Sequence, residues 1–334
     1  MWAKALWSRE YAQARLFVWG VPVVHFLALG FGRLNQWILD PAAVGRAERY
    51  ARSGDILAAY QNGDLESFGR VWLLLAVCVL ALVQFGTERR NGSQEFLFSL
   101  PYSRRRIFFT KWLFGASLIA GSLVLNTAID MIVVAASPMA PLFSLNYHLT
   151  EIGYSAALLL AAYSAAVLIG TVTGTAPSQS VFLVLLGILP IGTYALLDES
   201  VRIMWNDRGF PDTFFYEELQ DALNLSHFFF LQHDFVTWQK TFVFLLLAAA
   251  LAAGGMWSYE RNKPENNGKL ILFGWLELVC QIGAIALASM FCGMIGAGLI
   301  HAGEARIGYA VGFAAGFAVS LLATSRLRKV RLKT

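Results

Sequence analysis

The chain has 334 residues, of which 57% are hydrophobic and 14% are charged, and its mean hydropathy is +0.55. A soluble domain holds roughly 45–50% apolar and about 25% charged residues, so this composition excludes an ordinary soluble protein. The net charge of +4 fits the excess of Lys and Arg in the cytoplasmic loops of membrane proteins and does not require a nucleic-acid partner.

Long uncharged runs predict an all-α polytopic membrane protein, because a helix needs roughly 20 apolar residues to cross the hydrocarbon core. We expect one transmembrane domain of about eight spans, although a signal-like first run or a re-entrant segment would lower that number. The expected spans are 16–32, 71–86, 112–136, 152–173, 181–197, 241–259, 271–300 and 307–324.

The distribution of Lys and Arg predicts the orientation. Most of the 26 basic residues fall on one side if both chain ends are cytoplasmic. Segments 33–70 and 198–240 are then extracellular. Residues 1–15 mix large aromatic and basic side chains, which favours a helix lying in the headgroup layer over a frayed extension of the first span.

The most informative stretch of the sequence lies between spans two and three, at residues 87–111. Asn91-Gly92 indicates a turn, because both residues tolerate positive φ. Ser93 is then suited to cap a short helix, and Pro101 ends it. Ser103 is placed to cap the helix that follows.

This short helix is apolar over most of its surface and must be buried somewhere. The membrane surface and a protein partner both remain open as its contact. Glu88 and Glu95 flank the apolar residues, as charged rim residues flank an interface. The apolar part consists of Phe96, Leu97, Phe98 and Leu100. A basic group follows, which we expect to contact lipid phosphates at the inner membrane surface: Arg104, Arg105, Arg106 and Lys111.

Residues 88–95, Glu-Arg-Arg-Asn-Gly-Ser-Gln-Glu, are followed by Leu-Phe-Ser-Leu-Pro-Tyr-Ser-Arg at 97–104 and by Lys111. This pattern resembles the permease subunits of ABC-2 type transporters, and most of all the bacillar branch linked to acetoin utilisation and antibiotic response. The common plan of that family has fewer spans than the eight expected here. The resemblance also implies a bacterial plasma membrane.

The resemblance implies that residues 95–100 form a coupling helix that seats on a separate cytoplasmic ABC ATPase. Glu88 and Glu95 would pair with basic residues of that partner, and Pro101 would end the contact surface. No G-x-x-x-x-G-K-[ST] motif occurs in the sequence, so ATP and Mg²⁺ are expected on the partner and no cofactor on this non-catalytic chain.

The resemblance further implies an exporter that works as a homodimer or a heterodimer with a second permease. Two alternatives remain open at this point. One is an antibiotic-sensing complex without bulk transport, and the other is an ion-coupled secondary transporter.

Several further features lie outside that loop. The last span carries small residues at every fourth position, which predicts close helix packing, within the chain rather than between copies: Gly308, Gly312, Gly316 and Ser320. Asn126 and Asp130 in span three mark either an ion or substrate path or a contact with interfacial water.

Two more features lie in a connecting segment and in the C-terminal tail. Segment 198–240 is rich in aromatic residues and suits a cap or a hairpin in the outer leaflet. The basic tail 325–334 suits a lipid anchor. The cysteines, Cys78, Cys280 and Cys292, lie in apolar runs without CxxC spacing, and we expect no disulfide or metal site.

Overall fold

A computed structural model describes residues 4–53, 63–205, 238–263, 265, 267–300 and 304–327. Over these ranges the chain is almost entirely helical, and its only β interaction is one antiparallel bridge between Thr173 and Ile271. The helices belong to two compact units. The first comprises Met1–Val172 and Ser226–Pro264, and the second comprises Thr173–Leu225 and Glu265–Thr334.

The described part of the first unit contains both short and long helices. The short N-terminal helix α1 is followed by α2, α3 and α4, by the long helix α5, by the short helix α6 and by three further long helices. Their bounds are Lys4–Gln13 (α1), Arg15–His25 (α2), Phe31–Leu34 (α3), Pro41–Ser53 (α4), Gly63–Arg90 (α5), Ser93–Ser99 (α6), Arg104–Ala135 (α7), Leu145–Val172 (α8) and Trp238–Arg261 (α10).

The first span is longer than expected. Two π-helical turns, Phe26–Gly30 and Asn35–Leu39, join α2 and α3 into one continuous segment from Arg15 to Leu39. Arg33 therefore lies inside the span and not in the extracellular segment where the sequence pattern put it. Its side chain is buried, at 5% exposure, because carboxylates of two other helices neutralise it.

In the part of the second unit that the structure describes, the helices are Ala176–Met204 (α9), Gly274–Leu299 (α11) and Ala305–Leu327 (α12). A capping box begins α9, in which Thr175 accepts from the backbone N–H of Ser178 and Ser178 accepts from that of Thr175. Between Leu189 and Gly192 this helix bends by 46°. The intervening residue Pro190 accounts for the bend, since a proline removes a helical hydrogen bond.

Seven described helices are long and apolar enough to cross a membrane, and the bent helix α9 makes eight if it counts as one span. The expected all-α polytopic fold is therefore confirmed. The seventh expected span is shorter than its hydropathy suggested. It begins at Gly274, because Ile271 and Leu272 are buried in a non-helical segment. Residues 54–62, most of the aromatic segment (206–237) and residues 328–334 of the basic tail lie outside the described ranges.

Candidate functional site

The short helix α6 forms where the sequence predicted it, but with a different cap. Gly92 adopts a left-handed φ of 67° at the N-cap position, a conformation that favours glycine. Ser93 does not cap the helix, because its hydroxyl donates back to the carbonyl of Glu88. Leu100 is extended before Pro101, and the helix ends at Ser99 as expected. The Ser103 side chain caps α7 by accepting from the N–H of Arg106.

Helix α6 has an inner and an outer face. On the inner face, Leu97 is fully buried and Gln94 is 2% exposed. On the outer face, Phe96 leaves 63% of its surface exposed, and Glu95 beside it is exposed as well. The apolar residues that the sequence predicted as one contact surface therefore lie on two different faces of α6. Leu97 stabilises this chain, whereas Phe96 is available to a partner.

An aromatic cluster receives the inner face of α6. The ring of Phe98 packs edge-on against Tyr259 of α10, with centroids 5.4 Å apart. Tyr259 in turn lies 6.0 Å from Phe85 of α5 and 5.8 Å from Phe108 of α7. The short helix thus contacts α10 directly, and Tyr259 links it to rings of α5 and α7.

The arginines after α6 contact protein groups, where the sequence pattern suggested lipid. Arg104 donates through Nη1 to the carbonyl oxygens of Glu260 (2.9 Å) and Asn262 (2.6 Å), at the C-terminus of α10. A cation is favourable there, because the helix dipole is negative at that end. Its guanidinium also lies 4.4 Å from the ring centroid of Phe98. Arg105 pairs with the Glu260 carboxylate, while Arg106 is exposed near the ring of Tyr102.

Lys111 is fully buried, so it is not the surface anchor that the sequence pattern suggested. Its ammonium donates to Glu10 of α1 (2.8 Å) and to Glu88 of α5 (2.6 Å). Arg9 also donates to Glu88, at 2.8 Å. Glu88 therefore satisfies cations of its own chain and does not lie on a surface where an ATPase would meet it. Burial raises the pKa of Glu10 above its ordinary value, and the nearby Lys111 offsets this only in part.

A polar network extends from this ion cluster. Tyr163 of α8 donates to the side-chain oxygen of Gln84 (2.5 Å), and Gln84 donates to the carbonyl of Lys111. Arg89 reaches α6 by donating to Gln94 (3.3 Å) and reaches α8 by donating to the carbonyl of Thr171. Four helices of the first unit, α1, α5, α7 and α8, are thus joined beside α6.

A second ion cluster lies near the other end of α7. Asp130 is 7% exposed and accepts from Arg33 at 2.5 Å, and Arg33 also donates to Glu151 at 3.1 Å. His148 Nε2 lies 3.2 Å from the same Asp130 oxygen. Asn126 is also buried and donates to the carbonyls of Pro22 and Ser122. Both residues of the suggested ion path are therefore enclosed by protein.

Sequence reasoning missed the partners that complete these groups. The missing residues lie far along the chain from the ones they contact, and no local motif connects them. They are Glu10, Arg33, His148, Glu151 and Tyr259. Within the described part of the chain, no group of three His, Cys, Asp or Glu residues is placed to hold a metal ion.

The small-residue stripe of α12 lies against α11 of the same unit. A Cβ added to Gly308 would overlap the carbonyl oxygen of Gly296, and one added to Gly312 would overlap that of Cys292. Gly316 packs against the Cys292 side chain in the same way. These glycines allow the two backbones to touch, as small residues do between membrane helices. Ser320 follows at the next position of the stripe and accepts through its carbonyl from Thr324.

Comparison with known proteins identifies relatives that are membrane components of ABC systems. The family model described as "ABC-2 family transporter protein" matches residues 56–217, a range that includes α6. The probable ABC transporter permease YtrC of Bacillus subtilis is 28% identical over 267 residues, which cover 76% of each chain. The probable ABC transporter permease YtrD of the same organism is 23% identical over 94% of each chain. No solved structure matches the chain.

Proposed function

We propose that this chain, which is similar to ABC-2 family transporter proteins over residues 56–217 and to two probable ABC transporter permeases of Bacillus subtilis, is the membrane subunit of an ATP-driven exporter and that α6 receives movement from a separate cytoplasmic ATPase. ATP and Mg²⁺ would be bound by that partner. The chain itself would catalyse nothing and would form the transport path with a second permease, as a homodimer or a heterodimer.

The exposed side chain of Phe96 is the observation that carries this proposal. An aromatic residue that is 63% exposed on a short helix between two spans gains free energy if a partner covers it. Glu95 and Pro101, both exposed, flank it, and Glu95 provides a charged rim. We expect a groove on the ATPase to receive Phe96 and a basic residue there to pair with Glu95.

The inner face of α6 supports the second half of the proposal. A push on α6 would reach α10 directly through the contact of Phe98 with Tyr259 and through Arg104, which holds the C-terminus of α10. It would reach α5 and α7 through Phe85 and Phe108. Helix α8 would follow α10, because the two pack closely at Gly255, where an added Cβ would meet Phe108 and the backbone of Leu168.

The test is the substitution Phe96→Asp in the tagged chain, purified from native membranes in a mild detergent. We expect the wild type to co-purify with a protein that carries a P-loop and hydrolyses ATP. Phe96→Asp should lose most of that protein, because a carboxylate would have to be buried in the groove. Glu95→Arg should weaken the same contact by reversing the rim charge.

Leu145→Asp is the matched control, since Leu145 is 55% exposed at the start of α8, at the opposite end of α7 from α6. It should retain the ATPase while showing the same elution volume as the wild type. If folded Phe96→Asp still holds the ATPase at the wild-type ratio, α6 is not the contact. If the wild type brings down no ATPase, the exporter function itself is contradicted.

A further inference from the structure

An open groove runs between α11 and α12 in the second unit. Its volume is about 490 Å³, within the range of sites that bind small molecules. The two backbones touch at Gly296 and Gly312 and form its floor, and exposed branched side chains such as Ile295 and Val319 form its walls. Glycines, apolar side chains and the thiol of Cys292 make up the whole lining.

This lining selects an apolar ligand, because it offers neither a charged group nor a side-chain oxygen or nitrogen to bond. Lipid tails are as apolar as the helix surfaces, so no hydrophobic force brings a ligand into the groove. Binding then depends on the number of dispersion contacts that the ligand makes. A flexible chain inside the groove contacts protein below it and on both sides, whereas a chain on a convex helix surface contacts protein on one side.

The groove is as long as one leaflet is deep. Its lining on α12 extends from Gly308 to Val319, which is roughly 16 Å at about 1.5 Å per residue. The hydrocarbon core is about 30 Å thick, so one leaflet accounts for about 15 Å. One end of the groove lies at the membrane surface, since the exposed residues Glu304 and Arg306 come just before it at the start of α12. The groove therefore runs from that surface to the middle of the bilayer.

A helix of a second copy fits these dimensions poorly. A helix with its side chains is about 10 Å across, so a length of about 16 Å fills roughly 1,250 Å³, more than twice the volume of the groove. Such a helix would also cross the whole bilayer, whereas the groove ends near the middle. An acyl chain is narrow, unbranched and anchored at the surface, and it ends where its leaflet ends.

We propose that this groove binds one acyl chain of a membrane phospholipid and that the bound lipid supports the packing of α11 against α12. The lipid headgroup would lie at the level of Glu304 and Arg306. The site belongs to the second unit, does not involve α6 and does not rest on the proposed export function. A failure of either proposal leaves the other standing.

The test counts the phospholipids bound to the purified full-length chain by native mass spectrometry. Detergent first removes loosely bound lipid, and palmitoyl-oleoyl phosphatidylglycerol is then added back. We expect the wild type to hold one phospholipid more than Ala315→Trp, because Ala315 is an exposed lining residue and the indole would fill the groove. Ala314→Trp is the matched control. Ala314 is exposed on the same helix outside the lining, so this variant should hold the wild-type number.

A second measurement uses the wild type alone, so that no substitution disturbs folding. A phospholipid with a diazirine at the end of one acyl chain is added at one molecule per chain and activated by light. It should cross-link mainly near Val319, at the deep end of the groove. Equal cross-linking of all lipid-facing helices would overturn the site, as would a folded Ala315→Trp that holds as many phospholipids as Ala314→Trp.

Two further outcomes would assign the groove to another occupant and overturn the proposal. One is that oleic acid, added in place of the phospholipid, binds to the wild type while the phospholipid does not, which would identify a free fatty acid as the ligand. The other is that the wild type is a dimer and Ala315→Trp a monomer with the same number of bound lipids, which would identify a second copy.

Discussion

The ammonium group of Lys111 compensates two carboxylates that α1 and α5 bring into the interior of the first unit. Glu10 and Glu88 are each 2% exposed, and the distances from Nζ to both are those of charge-assisted hydrogen bonds. Without this cation, Arg9 alone would face two buried carboxylates. We therefore expect the loss of Lys111 to destabilise the fold.

We predict that Lys111→Met destabilises the chain by about 3–5 kcal/mol, the usual effect of removing one partner from a buried ion pair. The free energy of unfolding in detergent is the measurement. Lys263→Met removes an exposed cation and serves as the control, which should change stability by less than about 0.5 kcal/mol. Equal stability of the two variants would mean that the Lys111 cluster contributes no net free energy.

At the scale of elements, helices α11 and α12 pack with their backbones in contact. Gly296, Gly308 and Gly312 bring the two backbones into direct contact, so neither helix has room for a side chain at these positions. Close packing is needed to hold these helices together, because lipid tails are as apolar as the helix surfaces and no hydrophobic force drives their association in the membrane.

Gly312→Ala should therefore destabilise the second unit by about 1–3 kcal/mol, since the new methyl group meets the Cys292 carbonyl and forces the helices apart. Gly298→Ala is the matched control on α11, because an added Cβ there meets nothing within 4 Å. Thermal unfolding of the two variants gives the comparison. If Gly312→Ala were as stable as Gly298→Ala, the two helices would not need their close contact.

The sequence predicted the positions of the helices well, but it did not predict which distant side chains contact one another. Hydropathy located the long helices, and Pro101 and Ser103 correctly marked where α6 ends and α7 begins. The role of Lys111 could not be predicted, because its partners Glu10 and Glu88 lie 101 and 23 residues away along the chain. Cations in a loop between spans look alike in sequence whether they contact lipid or, as Arg104 does, the end of a neighbouring helix.

At the scale of the whole molecule, the orientation in the membrane remains a prediction from the basic residues. Helix α7 has 32 residues and separates α6 from the loop that leads to α8. At about 1.5 Å per residue it is long enough to place these two regions on opposite sides of a bilayer. Ser99 and Ala140 are exposed on either side of it.

We predict that Ala140→Cys reacts with a membrane-impermeant maleimide in intact cells, whereas Ser99→Cys reacts only after permeabilisation. Both substitutions are made in a chain whose native cysteines, Cys78, Cys280 and Cys292, are replaced by serine. Labelling is read as a mass shift of the purified protein. The reverse pattern would place α6 outside the cell and would remove it from the reach of any cytoplasmic ATPase.

The two buried charged side chains of α7, Lys111 and Asp130, also bear on how the protein is made. A span that carries Lys111 and Asp130 is costly to insert alone, since an unpaired charge costs up to about 2.5–3.5 kcal/mol, the value for the centre of a spanning helix. Their main counter-charges, Glu10, Glu88 and Arg33, all precede α7 in the chain. When α7 leaves the ribosome, these counter-charges have already been synthesised. The order of synthesis therefore lets α7 enter the bilayer beside the groups that neutralise its charges.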